Sequence, residues 1–207
     1  MSDQQPPRQG IETLATLAYS ELAAFERLAT DAQFAPDVRD TVDLARMAGW
    51  CLAHFEDLDA RITELGGDSV TLMEAARPSF AAFMERTKPT DWYESLMKGY
   101  VYDEILKDFA RAALDQLDAD SRAVATAVLD DTRPVEYLAS RLGAAVAADQ
   151  VLSSRLALWG RKLVAESLRR VRELPGVFPT ESAAATELSQ HIMSNHSRRM
   201  SVLGLTA

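Results

Sequence analysis

Cysteine is almost missing from these 207 residues: Cys51 is the only one. No disulfide can form within the chain, which suits a reducing compartment and excludes a cross-linked secreted scaffold. Long apolar runs are missing too. Nothing approaches the roughly 18 residues that would span a bilayer, and the first ten residues lack the apolar stretch of a secretion signal. The expectation is a cytoplasmic protein with no membrane partner. Basic residues are outnumbered, with 22 Lys and Arg against 31 Asp and Glu and a net charge of −9. That balance argues against non-specific coating of nucleic acid, which needs clustered cations to neutralise phosphates. No Gly-rich phosphate loop and no nucleophile elbow occurs.

What is present is a helical pattern. Hydrophobic residues make up 47% of the chain and charged residues 26%, enough apolar surface for one core inside a solvated exterior. The length suits a single domain, expected over residues 10–207 after a disordered tail at 1–9. Apolar residues recur at intervals of three and four almost throughout, and sustained period-two alternation is missing, so the fold class expected is all-α. Helix A is expected from Gly10 to Asp31, with the stripe Ile11, Leu14, Ala18, Glu21, Phe25, Leu28. Helix B is expected after Pro36, capped by Asp37 or Asp40 and ended by Gly66-Gly67. Its stripe is Leu44, Ala48, Cys51, Phe55, Leu58, Ile62, Leu65, with His54 on the edge.

The stretch 68–87, interrupted by Pro78, reads as a crossover of short helices. Helix C is expected to open at Asp91, with Glu94 three residues on in a capping-box-like arrangement. Its stripe is Trp92, Leu96, Gly99, Asp103, Leu106, Ala110, Ala113, Leu117. Helix D is expected from Asp118 or Asp120 with Val124, Val128, Asp131, Val135, Leu138, Leu142 inward. Two more helices, about Val151–Leu174 and Thr180–Leu203, are expected to pack outside the four-helix core. The second sets Leu188, Ile192, His196, Met200 and Leu203 on one face.

Three of these stripes contain a carboxylate: Glu21, Asp103 and Asp131. An ionised carboxylate in a core needs a partner or a metal, because stripping it of water costs several kcal/mol. Each acid alone is more often a tolerated marginal position. Together, near the middle of neighbouring helices and with His54 midway along another, they outline one polar site. Ferritin-like di-iron proteins build their centre this way, with one carboxylate from each of two helices and a Glu-x-x-His pair from each of two others.

Four stretches carry a family likeness: Tyr19-Ser20-Glu21-Leu22-Ala23-Ala24-Phe25, Tyr100-Val101-Tyr102-Asp103, Leu156-Ala157-Leu158-Trp159-Gly160-Arg161 and His196-Ser197-Arg198-Arg199-Met200. They resemble the MiaE-like tRNA-hydroxylase branch of the ferritin-like superfamily over residues 10–205. The resemblance implies a four-helix bundle with a crossover between helices B and C and two additional C-terminal helices. It implies iron as cofactor, oxygen-dependent hydroxylation of a modified tRNA base as activity, and Glu21, His54, Asp103 and Asp131 as metal ligands. Two positions depart from the pattern. Cys51 stands where helix B should supply a carboxylate, and Pro134 where helix D should supply a histidine.

A thiolate in place of a bridging carboxylate changes the charge and redox behaviour of an iron pair. Free cysteine is also commonly buried as a small hydrophobe. Proline offers no metal-binding atom and would bend or restart helix D. Three readings stay open: a di-iron hydroxylase, a weak mononuclear site made by the four residues, and a metal-free polar cluster in a helical interaction scaffold. Residues 153–207 hold 8 basic and 4 acidic side chains. A tRNA-facing surface there would use Arg161, Lys162, Arg169, Arg170, Arg172, Arg198 and Arg199, against the plainer reading of a solvated helix face. A homo-oligomer is left open.

Overall fold

The computed structural model describes residues 8–173 and 183–207. The elements are α1 (Arg8–Ala32), α2 (Val38–Glu64), α3 (Ser69–Arg86), α4 (Trp92–Lys98), a π-helical turn (Gly99–Asp103), α5 (Glu104–Ala112), a 3-10 turn (Leu114–Gln116), α6 (Ala119–Leu129), α7 (Arg133–Ala148), α8 (Gln150–Glu173) and α9 (Ala183–Val202). No strand occurs among the described residues, so the fold is all-α. Most of the expected tail lies outside the described residues, and Arg8 and Gln9 are already helical. The expected ends at Leu174 and Thr180 also lie outside them. The chain divides into two compact units, Met1–Phe80 with Ala110–Asp131, and Ala81–Phe109 with Thr132–Ala207.

The first unit is built on the hairpin of α1 and α2. Asp37 caps α2 by accepting from the backbone N–H of Asp40 at 2.9 Å, satisfying a donor with no partner inside the helix. At the other end, Gly66 takes φ +76. Its N–H reaches Thr63 O and that of Gly67 reaches Ile62 O, both at 2.9 Å. This pair of bonds ends a helix economically at a residue with no Cβ penalty. Between the helices lies a core of Leu14, Leu17, Ala18, Leu58, Ile62, Met73, Ala125, Val128 and Leu129. The stripes expected of helices A and B are the faces that meet there. Arg61 ties α2 to α6 through Ser121 Oγ and Asp118 Oδ1, each at 2.9 Å, and Asp118 itself caps α6.

The second unit is built around α4 and the π turn. Glu94 to Tyr102 are all buried, so this helix is enclosed on every side and has no single inward stripe. Asp91 caps it by accepting from Glu94 N–H, and the Glu94 carboxylate accepts from Thr90 N–H and Oγ1–H at 2.8 and 2.7 Å. The π turn adds a residue to one turn, which rotates everything after it. Leu106 and Ala110 from the expected stripe are half-buried, whereas Ile105, Asp108 and Phe109 are buried. The last two helices each bury a face in this unit, where Leu156, Leu163, Ile192 and Met200 are each 0% exposed.

The crossover, expected as short helices, is corrected to one continuous helix with Pro78 inside it. Helix D restarts at its proline, one of the two outcomes expected there: it is two helices, α6 and α7, and Pro134 falls in the first turn of α7. There its missing N–H would have no intrahelical partner anyway, so proline at that point marks a start and not a kink.

Candidate functional site

His54 lies midway along α2, and both of its ring nitrogens are engaged. Nδ1 is 3.1 Å from Glu21 Oε2 on α1, and Nε2 is 3.2 Å from Asp131 Oδ2 just past the end of α6. The three side chains are only 13%, 10% and 8% exposed in that order, so each ion–imidazole contact is weakly screened by solvent. Of the four residues expected to share a site, Glu21, His54 and Asp131 come together within the first unit. Asp103 belongs to the second, at the end of the π turn, where it is half-buried.

Each member is positioned by local structure. Glu21 sits in the inward stripe of α1, beside Ser20, whose hydroxyl donates back to Leu17 O at 2.7 Å. His54 follows Cys51 by three residues on α2, and Cys51 is a buried thiol at 6% exposure. Asp131 follows the last turn of α6, with Asp130 N–H bonded to Thr126 O at 2.9 Å. Arg111 secures that end by donating from Nη2 to Leu129 O and to Asp130 Oδ1. Sequence reasoning missed Arg111 and Arg61. Nothing in their spacing pointed to partners 18 and 60 residues away.

The donor set does not fit a di-iron centre. Such a centre needs bridging carboxylates and an imidazole on each metal. Here one imidazole is available, Cys51-Leu52-Ala53-His54 replaces the first Glu-x-x-His pair, and the chain leaves helical geometry between Asp131 and Pro134. The two nitrogens of an imidazole point to opposite edges of the ring. Glu21 and Asp131 therefore lie on opposite sides of His54, and an ion bound at one nitrogen would have one of these carboxylates beside it and the other across the ring. Among the described residues, no group of three or more His, Cys, Asp and Glu side chains is set to hold a metal ion.

A sequence model described as the ferritin-like domain of actinomycetes matches residues 5–176. The chain belongs to that family. The match takes in the whole of this ferritin-like site, from Glu21 to Asp131, and leaves α9 outside it. No curated protein matches the ferritin-like chain.

The basic residues of the C-terminal region divide sharply in this ferritin-like protein. Arg161, Lys162, Arg169 and Arg198 are exposed. Arg170 is 0% exposed and donates to the Tyr102 hydroxyl, and Arg199 holds Asp108 with two bonds of 2.8 and 2.9 Å. The side chain of Arg172 lies outside the described residues. Two of the seven candidates thus stabilise the interior and offer nothing to a phosphate. No helix among the described residues is long and apolar enough to cross a membrane.

Proposed function

We propose that this protein is a ferritin-like bundle of the tRNA-hydroxylase type in which a carboxylate–imidazole–carboxylate triad stands in place of the di-iron centre. It acts as a binding module and not as an oxygen-activating hydroxylase. The reading is carried by one observation, the engagement of both His54 nitrogens by Glu21 and Asp131. With a carboxylate oxygen against each ring nitrogen, a metal reaches the imidazole only if one of those contacts is given up. The replaced ligand positions, Cys51 and Pro134, support the same reading, since they strike both Glu-x-x-His pairs of the family pattern.

Iron content and absorption spectrum test it. Protein produced in iron-replete cells is expected to carry well under one iron per chain and to show no oxo-bridged di-iron band. Two tightly held irons per chain with that band would overturn the proposal. A second reading, an iron-dependent hydroxylase acting on a modified tRNA base, draws support from the π turn that ends at Asp103, because such turns are frequent at functional sites. It predicts that cells lacking the protein lose a hydroxylated nucleoside from their tRNA. The first reading predicts an unchanged nucleoside profile.

A further inference from the structure

The face of α2 turned away from the core of the first unit is long and largely apolar. Val38, Val42, Ala45, Gly49, Ala53 and Ala60 are all exposed along it, at spacings of three, four and seven that keep them on one line of a helix, with Glu56 between the last two. Val38 and Val42 are 78% and 40% exposed, and Phe34, just before the helix, is 68% exposed. A Cβ at Gly49 would meet nothing within 4 Å. Over 27 residues the face runs about 40 Å.

One flank of that line carries Arg39, Arg46, Asp57 and Glu64, all exposed and spaced by close to whole turns. Their order is the reverse of what the helix itself favours. Acids stabilise a helix N-terminus and cations a C-terminus, yet on this flank Arg39 stands in the first turn and Glu64 in the last. Asp40 and Arg61 follow the rule in those same turns, but Asp40 is buried and Arg61 is engaged by Ser121 and Asp118. Arg46 pairs with Asp43, and Glu64 with Arg61, each three residues along the helix, and Arg46 and Glu64 are both 66% exposed. Exposed pairs of this kind hold little.

We propose that this face docks an antiparallel second copy of itself, giving a two-fold dimer through α2. In such a pair each flank meets the same flank of the other copy, run in the opposite direction. Arg39 and Glu64 are equally far from the point between Cys51 and Leu52, and so are Arg46 and Asp57. One register therefore sets Arg39 against the partner's Glu64 and Arg46 against the partner's Asp57, and symmetry repeats both pairs. Within one residue, the same register sets Gly49 against the partner's Ala53 and Val42 against the partner's Ala60. Small side chains then meet at the centre and let the two helices approach closely. A parallel copy would instead set like charges against each other, which is costly. A single helix face is smaller than a standard interface, so the dimer is weak and forms in the micromolar range.

Sedimentation velocity of the full chain over a concentration series, at low and high salt, tests this. A reversible dimer that salt weakens is expected. R46E and D57R each bring like charges together and are each expected to weaken dimerisation by roughly tenfold or more. R46E/D57R exchanges the two signs and is expected to restore it. G49K fills the open space at the centre and is expected to leave a monomer. Circular dichroism checks that each variant is folded, and if G49K fails that check the charge variants decide. A chain that stays monomeric at every concentration would overturn the proposal. So would a dimer that G49K leaves intact, which would place the contact on another surface, or an R46E/D57R chain that associates no better than the single variants, which would exclude the antiparallel order.

Discussion

At the scale of single residues, the half-buried His54 and the buried His196 are opposites. His54 is held between two carboxylates, and removing it takes a close polar contact from each of them. H54L is expected to lose about 3 kcal/mol in urea unfolding, the usual penalty for breaking a buried pair from one side. Replacing Glu21, His54 and Asp131 together with apolar residues of similar volume is expected to change stability by less, because the contacts within the triad are then removed as a set. His196 is held by no hydrogen bond, and its folded-state pKa of about 4 lies below the 6.5 of an unperturbed ring. The unfolded chain therefore binds the proton first. The contribution of a neutral His196 is complete above about pH 6.5 and is lost as the pH falls toward 4, amounting to roughly 3 kcal/mol at 1.36 kcal/mol per pKa unit. The stability difference between the unmodified chain and H196F should thus change with that slope across the window. Parallel pH curves for the two proteins would reject the assignment.

At the scale of elements, punctuation was more legible than continuity. Asp37, Asp91 and Gly66-Gly67 were readable as helix ends because each satisfies backbone groups by local chemistry alone. D118A tests one such signal. It removes the cap of α6 and a partner of Arg61, and it is expected to cost about 1–2 kcal/mol, seen as a lower Tm. Hydrogen bonds and the Arg61 charge hold the Asp118 pKa below its ordinary value, against the opposing effect of partial burial. Its stabilising contribution is therefore present at neutral pH and fades as acid protonates it. Pro134 shows what local chemistry leaves undecided. The same residue serves as a kink inside a helix or as a start in the first turn, and here it is a start. P134A is accordingly expected to shift stability by well under the ~3 kcal/mol of an interior proline, by thermal melting. The π turn at Gly99–Asp103 could not be read from spacing, because its extra residue is indistinguishable from the ordinary scatter of an apolar pattern.

At the scale of the whole molecule, charge sets the terms of any encounter with nucleic acid. A net charge of −9 and the inward turn of Arg170 and Arg199 leave few free cations for phosphates. Bulk tRNA is expected to show no retention on the protein at about 0.15 M salt, since non-specific binding scales with the number of phosphates neutralised. Salt-sensitive micromolar binding lost on mutating Arg161 and Arg169 would show that the exposed cations suffice. The all-α class, the length of the first two helices, the caps of α2 and the place of Glu21 on the inward stripe of α1 were determined by the sequence itself, because periodicity and end signals act over a few residues. The meeting of Glu21, His54 and Asp131, the bond from Arg111 that secures the end of α6, and the gathering of Met97 and Met200 at Gly160 were decided only by tertiary structure. Each joins residues tens of positions apart through side-chain packing, and no local energy term along the chain selects such partners.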